Sequence, residues 1–412
     1  LRETVAQYGI DRRIRFGHLV TTAEWSTADA RWTVTATKKA TGETVTLTCN
    51  FLFMCSGYYS YRKGHTPDFA GRDTFQGQIV HPQEWPADLD HSGKRVVVIG
   101  SGATAMTLVP AMADTAAHVT MLQRSPTYVV SAPDRDAIAN GLRKVLPDTV
   151  AYRVTRSINK GRQRLIYGAS QRYPKQVRRI IRALNVKALP EGYDVDTHFN
   201  PKYNPWDQRM CAVPDSDLFT AISQGKAEVV TDQIERFTKT GILLKSGREL
   251  PADIIVTATG LKLLPFGGIQ VSVDGQVKNP HDSLVYKSFM LSDIPNMAFA
   301  FGYTNSSWTL KVDLVCEHLC RLLAYMDQHG YSTVVPIVDN PMIEKRPMLD
   351  FPAGYIIRAI EEFPQQGTSG PWTVEMNFKA DHARLRKGPV EDAALRFGTA
   401  KPVAAESDLA RA

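Results

Sequence analysis

Apolar positions along the 412-residue chain change period several times. In the opening stretch they alternate or run in strand-length pieces: 12–16, 32–37, 44–48 and 51–55, with Thr41–Gly42 as a turn. A loop rich in Gly, Pro and Tyr follows from Tyr58 to about Asp90. Then Val96, Val97, Val98 and Ile99 form an unbroken apolar run, the pattern of a buried parallel strand. A helix predicted over 103–113 and a second strand over 118–122 complete a βαβ unit. Helical spacing over 173–184 puts Val177, Ile180, Ile181 and Leu184 on one side and leaves Lys175, Arg178, Arg179 and Arg182 exposed. Further on, a helix is predicted over 217–223, and strands at 229–230, 234–237 and 242–245. Residues 253–259 read as a buried strand ending at Gly260, and 297–301 as another. The clearest helix runs over 309–329, stopped by Gly330.

Composition narrows the class. Hydrophobic residues make up 43%, enough for more than one domain, and no apolar run reaches the length of a membrane span. Five cysteines in this length do not make a secreted disulfide framework, so a reducing, cytoplasmic setting is expected. The net charge of +7 is concentrated. Between Arg135 and Lys187 stand 14 Lys and Arg against Asp136 and Asp148, so the rest of the chain is slightly acidic. Such a segment is either a solvated helical face or a surface attracted to an anionic cofactor or an anionic membrane, to which it would attach peripherally. Nucleic-acid motifs are absent, and no nucleic-acid partner is expected.

Metal chemistry is not expected either. Cys316 and Cys320 share a helical face and read as core residues, with His318 pointing elsewhere. Cys49, Cys55 and Cys211 lack metal spacing, and His198 beside Asp194 and Asp196 reads as a polar loop.

The strongest chemical signal follows the buried run: Gly100-Ser101-Gly102-Ala-Thr-Ala105. A GxGxxA is informative in this context because it ends a strand and opens a helix. Gly100 permits the tight turn, Gly102 lets backbone approach a pyrophosphate at the helix N-terminus, and Ala105 keeps helix close to strand. The next strand ends in Gln123–Arg124–Ser125 rather than in an acid. A guanidinium cannot accept from a ribose 2′-hydroxyl but pairs with a 2′-phosphate, and Ser125 can donate to it, so NADP(H) is favoured over NAD(H).

Before the fingerprint lies Phe75-Gln-Gly77-Gln-Ile-Val-His81-Pro-Gln-Glu-Trp85-Pro86. This resembles the FxGxxxHxxxW(P/D) signature of Baeyer–Villiger monooxygenases, which are class B flavoprotein monooxygenases related to the flavin-containing monooxygenases. The resemblance extends to about Lys387. Three passages resemble the mycobacterial branch most: Cys55-Ser-Gly57-Tyr58-Tyr59, Asn204-Pro-Trp-Asp-Gln208-Arg209-Met-Cys and Gly302-Tyr-Thr-Asn305-Ser-Ser-Trp308-Thr-Leu-Lys311.

The resemblance implies an α/β fold with two Rossmann-like dinucleotide-binding domains, one for FAD and one for NADP. Residues 1–90 would be the later part of the first FAD section with the linker motif. Residues 91–255 would be the NADP domain, with a helical insertion at about 135–190. Residues 256–387 would be the returning FAD section, and 388–412 a flexible tail. No glycine fingerprint precedes Gly100, and the chain starts Leu1–Arg2–Glu3, so the first FAD section is expected to be truncated.

The implied reaction uses FAD, NADPH and O2. A flavin C4a-peroxide would insert one oxygen atom into a ketone to give an ester or lactone. Two alternatives stay open: oxygenation of a thioether, thioamide or amine, and a catalytically inactive NADP-binding fragment. A small apolar organic substrate is expected. Arg209 is the implied catalytic residue, stabilising peroxide and oxyanion charge. Gln208 replaces a lysine of several relatives. Gly57, Thr259, Gly260 and Asn305 are implied at the cofactors. Phe75, Gly77, His81, Trp85 and Pro86 are implied as linker residues, with His81 as a hydrogen-bonding linker rather than a base.

Overall fold

The computed structural model describes residues 1–208, 210–340, 342–349 and 354–399. The chain divides into two compact units. One holds Leu1–Tyr59 together with most of the chain from Leu263 on; the other is built on Ser60–Lys262.

The first unit opens with a short helix, α1 (Arg2–Gln7), and a meander of β1 (His18–Ser26), β2 (Arg31–Lys38) and β3 (Thr44–Cys49), followed by β4 (Leu52–Met54). Residues 12–16, read from the sequence as a strand, are not one. Asp11–Arg13 forms a 3-10 turn, and the chain reverses at Gly17, whose φ of +70° is left-handed. The strand begins instead at His18. It buries Ala23 and Trp25, and Trp25 meets Trp32 of β2 with ring centroids 5.5 Å apart.

The second unit carries β5 (Gln78–Val80), β6 (Arg95–Ile99), α2 (Ala103–Ala113) and β7 (His118–Gln123). After them come β8 (Val129–Ala132), α3 (Ala137–Val145), α4 (Asp148–Arg172), α5 (Pro174–Ala188) and α6 (Val195–Phe199). The unit continues through β9 (Cys211–Pro214), α7 (Asp217–Ser223), β10 (Ala227–Thr231), β11 (Ile234–Phe237), β12 (Gly241–Leu244), β13 (Glu249–Pro251) and β14 (Ile254–Thr257). Its main sheet is entirely parallel, in the order β10-β7-β6-β14-β5. This explains the unbroken apolar runs: Val96–Ile99 and Ile254–Val256 are buried because both faces of the sheet are covered. On one face α2 and α7 pack through Ala105, Met106, Val109, Leu218 and Phe219; on the other lies the antiparallel β11-β12-β13 sheet with Phe75, Phe237 and Ile242. The strand β5 comes from the glycine-rich loop and forms the edge beside β14.

The chain then returns to the first unit through β15 (Gln270–Val273), β16 (Gln276–Val277), β17 (Val285–Tyr286), β18 (Met290–Leu291), β19 (Met297–Phe299) and α8 (Trp308–His329). The first unit's five-stranded sheet has the order β16-β15-β1-β2-β3, and its four-stranded sheet β17-β18-β19-β4, with β19 and β4 parallel. Helix α8 ends where Gly330 takes φ +70°.

Two expectations are corrected in this unit. Cys316 and Cys320 are not core residues: Cys316 is half-buried and Cys320 exposed, while His318 between them is buried against Phe289. The helix turns its i, i+4, i+8 row of Leu314, His318 and Leu322 inward, and the thiols fall beside it. The stretch from 388 to 399 is not a loose tail, since Leu395–Gly398 pairs antiparallel with Thr333–Pro336 and buries Leu395. Residues 400–412 lie outside the described residues.

Candidate functional site

In the second unit the carboxyl ends of β6, β7 and β14 converge, the place where open parallel sheets form ligand crevices. Strand β6 runs into Gly100, whose φ is +135° and whose N–H donates to the Leu122 carbonyl at 2.8 Å. A Cβ on Gly100 would stand 2.3 Å from the Ala258 carbonyl oxygen, so only glycine fits there. Gly102 is the N-cap of α2 and offers no side chain to the first amides of the helix; a Cβ there would meet nothing within 4 Å. The amides therefore face open space, and an anion can reach them. Ala105 is fully buried and lets α2 lie close on its strand.

Around this turn Ser101 is held by Thr127, with the two hydroxyls 3.1 Å apart, and its Oγ donates to the Ser125 carbonyl at 3.5 Å. Arg124 and Ser125 directly follow β7, and Arg124 is exposed. The loop carrying Gln208 leads into β9, which pairs parallel with β8 and starts with Cys211 N–H donating to the Tyr128 carbonyl at 2.8 Å. The Cys211 Sγ lies 3.9 Å from the Ser101 carbonyl oxygen. Gln208 is exposed. Arg209 lies outside the described residues.

Beyond β14 come Thr259 and Gly260, the latter with φ +111°. Thr259 Oγ1 donates to the His65 carbonyl at 2.6 Å, and His65 N–H donates back to the Gly260 carbonyl at 3.0 Å. His81 completes this lock. Its Nδ1 accepts from the Gln83 amide at 3.1 Å, which leaves Nε2 to donate to the Gly260 carbonyl at 3.3 Å. Its ring lies where a Cβ of Gly64 would be. Both ring nitrogens thus bind backbone. Phe75 is buried against Phe237, and Gly77 is required because a Cβ would stand 2.3 Å from the Asp253 carbonyl oxygen. Trp85 packs partly buried against the α2 core, and Pro86 starts the turn that closes at Leu89.

Other polar groups of this unit are used structurally. Asp194 caps α6 through the Thr197 amide, Asp196 holds Arg182 at 2.5 Å, and His198 Nδ1 meets Thr231 at 2.9 Å. The Arg182 pairing keeps the Asp196 carboxyl at about 2. No cluster of metal-ligating side chains occurs among the described residues.

The first unit contains Gly57 and Asn305. Gly57 has φ +71°, and Asn305 Nδ2 donates to the Met376 carbonyl at 3.0 Å. Between them in the chain's order, Tyr58 is buried in an aromatic cluster: it stacks on Trp308 at 5.0 Å and contacts Phe301 at 5.4 Å. Gly302 is covered by the Trp308 ring, 2.2 Å from where a Cβ would be. One turn into α8 lies a group that sequence reasoning missed. Lys311 is fully buried and pairs with the equally buried Asp381 at 3.3 Å, while Tyr303 donates to the same carboxylate at 2.8 Å. Lys311 also donates to the Glu375 carbonyl at 2.8 Å. Burial pushes Lys311 below the ordinary lysine range and Asp381 above the carboxylate range, and their mutual attraction opposes both shifts. The available signal was a lysine on the same helical row as Val315 and His318.

The flavin-binding monooxygenase-like family profile matches residues 6–294. The FAD-containing monooxygenase EthA of Mycobacterium tuberculosis (strain ATCC 25618 / H37Rv) is 56% identical over 398 residues, covering 96% of this chain and 81% of that protein. The probable FAD-binding monooxygenase AlmA of Acinetobacter baylyi is 48% identical over 399 residues, covering 96% and 80%. Among solved structures, an oxidized steroid monooxygenase bound to NADP superposes with a TM-score of 0.69 at 17% identity, covering 97% of this chain and 83% of that one. Cyclohexanone monooxygenase from Rhodococcus sp. Phi1 bound to NADP+ gives a TM-score of 0.69 at 18% identity, with the same coverage. The likeness shows the fold: α/β, of the flavoprotein type with two dinucleotide-binding domains.

Proposed function

The chain belongs to the flavin-binding monooxygenase-like family, and from that premise we propose that it works as an FAD- and NADPH-dependent monooxygenase on small apolar organic substrates. The observation that carries the nicotinamide part is the Gly100–Gly102 turn with Arg124 beside it. Gly100 has a backbone that only glycine adopts at ease, Gly102 leaves the α2 amides open, and Arg124 offers an exposed guanidinium at the end of β7. These residues fit NADP(H): the amides of Ala103 to Ala105 and the helix dipole suit the pyrophosphate, and Arg124 suits the 2′-phosphate.

For FAD the described residues fit in part. The parallel pair β4 and β19 leads into α8, whose N-terminus has no side-chain cap. A second GxGxxG or GxGxxA turn between strand and helix does not occur among the described residues. When bound, the flavin supplies this family's redox chemistry, accepting hydride from the nicotinamide and delivering one oxygen atom from O2.

The chain's own residues bind, orient and exclude. Ser101 is oriented by Thr127 and shapes the phosphate turn. His81 and Thr259 tie the 64–66 segment to the end of β14, which fixes the rim of the nucleotide crevice. In the first unit Tyr58, Phe301 and Trp308 pack together beside the start of α8. To Arg209 we assign the stabilisation of negative charge developing on oxygen, on the strength of the family resemblance around it.

Ketone oxygenation is the leading reading. Sulfur or nitrogen oxygenation is the second reading. The test is product analysis under labelled O2, with NADPH and added FAD, on a cyclic ketone and on a thioether. A labelled lactone supports the first reading and a labelled sulfoxide the second. NADPH binding without either product would leave an NADP-binding protein without this activity.

A further inference from the structure

A surface helix of a globular protein turns its apolar stripe inward and its polar side to water. Helix α4 does not. Of its 25 residues only Ala151 and Ser170 are buried. Thr155, Asn159 and Gln163, half-buried, lie on the same side, so the face toward the unit is mainly polar. At about 100° per residue, Val150, Val154, Ile158 and Leu165 fall in one arc of roughly 80°. All four are exposed, at 41%, 37%, 40% and 74%. Arg153 and Arg164 border this stripe on one side and Arg162 on the other, all exposed.

Helix α5 buries Ile181 yet also leaves apolar side chains exposed. Tyr173, at its N-cap, and Ile180 and Leu184 share one exposed side, while Lys175, Arg179, Arg182 and Lys187 are exposed on the same helix. More than half of the exposed large apolar side chains among the described residues lie between 138 and 186. The stretch that encloses them, Arg135 to Lys187, carries the concentrated positive charge, 14 basic residues against two acids.

We propose that α4 and α5 form a docking surface for an anionic lipid membrane, with the aliphatic stripes entering the headgroup boundary and the arginines meeting lipid phosphates. The two features together select this occupant. An apolar stripe alone suits any apolar partner, and a positive surface alone suits any anion; an interfacial bilayer offers both at once. A second copy meeting the same face would set one basic segment against another, which repels. Attachment is peripheral, since no helix of the described residues is long and apolar enough to cross a membrane. The inference rests on α4 and α5 alone and is independent of the monooxygenase reading.

The experiment is co-sedimentation of the whole 412-residue chain with phosphatidylcholine vesicles, with and without phosphatidylglycerol, at low and high salt. The expected result is pelleting that requires phosphatidylglycerol and is released by salt. The Ile158→Ser/Leu165→Ser variant should bind at least about tenfold more weakly. Arg153→Gln/Arg164→Gln should flatten the salt dependence. These positions are exposed, and unchanged far-ultraviolet circular dichroism confirms that each variant is folded. Absence of phosphatidylglycerol-dependent pelleting overturns the proposal, and so does unchanged binding by the folded Ile158→Ser/Leu165→Ser variant. A lipid-free dimer in sedimentation velocity that this variant abolishes, without vesicle binding by the parent chain, assigns the face to a second copy and likewise overturns it.

Discussion

Gly100 and Ala258 approach so closely that a Cβ on the glycine would stand 2.3 Å from the alanine carbonyl oxygen. The contact joins the turn after β6 to the end of β14, two strands that pair in parallel register up to Ile99 and Thr257. Gly100→Ala therefore meets both a backbone clash and an unfavourable φ of +135°. The expected cost is at least about 1–3 kcal/mol, read as a lower urea midpoint. NADPH binding should fall further than stability, because the turn must shift away from the pyrophosphate. Unchanged NADPH affinity in folded Gly100→Ala would remove the turn from the nucleotide site.

Arg124 gives a sharper test, because its removal leaves the backbone cradle intact. Arg124→Ala should weaken NADPH binding by about tenfold or more, the effect of losing a charge-assisted phosphate contact. NADH affinity should hardly change. Fluorescence titrations with both nucleotides measure the ratio. Equal loss for the two would place Arg124 away from the 2′-phosphate.

Much of this unit was legible because local and global signals agree there. Val96–Ile99 is buried on both faces, Gly100 needs a positive φ, and α2 occupies 103–113 as its pattern predicts. Helix α8 differs from its predicted start by one residue, Trp308 instead of Thr309. What stayed hidden depends on tertiary partners. Strand β1 was missed because its first half is exposed or half-buried and only Ala23 and Trp25 are buried, so period-two alternation is weak. Strand β5 has three residues inside a glycine-rich loop, and only pairing with β14 makes it a strand. Asp381 lies 70 residues from Lys311, and no local pattern announces their meeting. The exposed stripe of α4 looks from sequence like any amphipathic helix, since spacing does not say which side faces the core.

The Lys311–Asp381 pair is a buried ion pair in which one carboxylate oxygen, Oδ1, has no partner among the described residues. Removing one charge leaves the other buried alone. Lys311→Met should therefore cost about 3–5 kcal/mol. The double variant Lys311→Met/Asp381→Leu should recover a large part of that loss, since no lone charge remains. A double-mutant cycle by urea unfolding measures both. Additive losses would mean that the two groups do not interact in the folded chain.

His318 links stability to pH. It is 1% exposed, its Nδ1 donates to the Leu385 carbonyl at 2.8 Å, and its Nε2 has no partner among the described residues. Facing that carbonyl, Nδ1 carries the proton of the neutral ring. Burial holds its pKa down at about 4, against 6.5 for a free imidazole. The unfolded chain thus binds more protons than the folded one between these two values. Stability from this residue is complete above about pH 6.5 and falls as pH drops toward 4, by an amount on the order of 3 kcal/mol. His318→Gln keeps a donor for the Leu385 carbonyl and cannot take up the extra proton. Its urea midpoint should be lower than the parent's at pH 7 and should change less between pH 7 and pH 5. A variant with the parent's full pH dependence over that interval would show that other groups govern it.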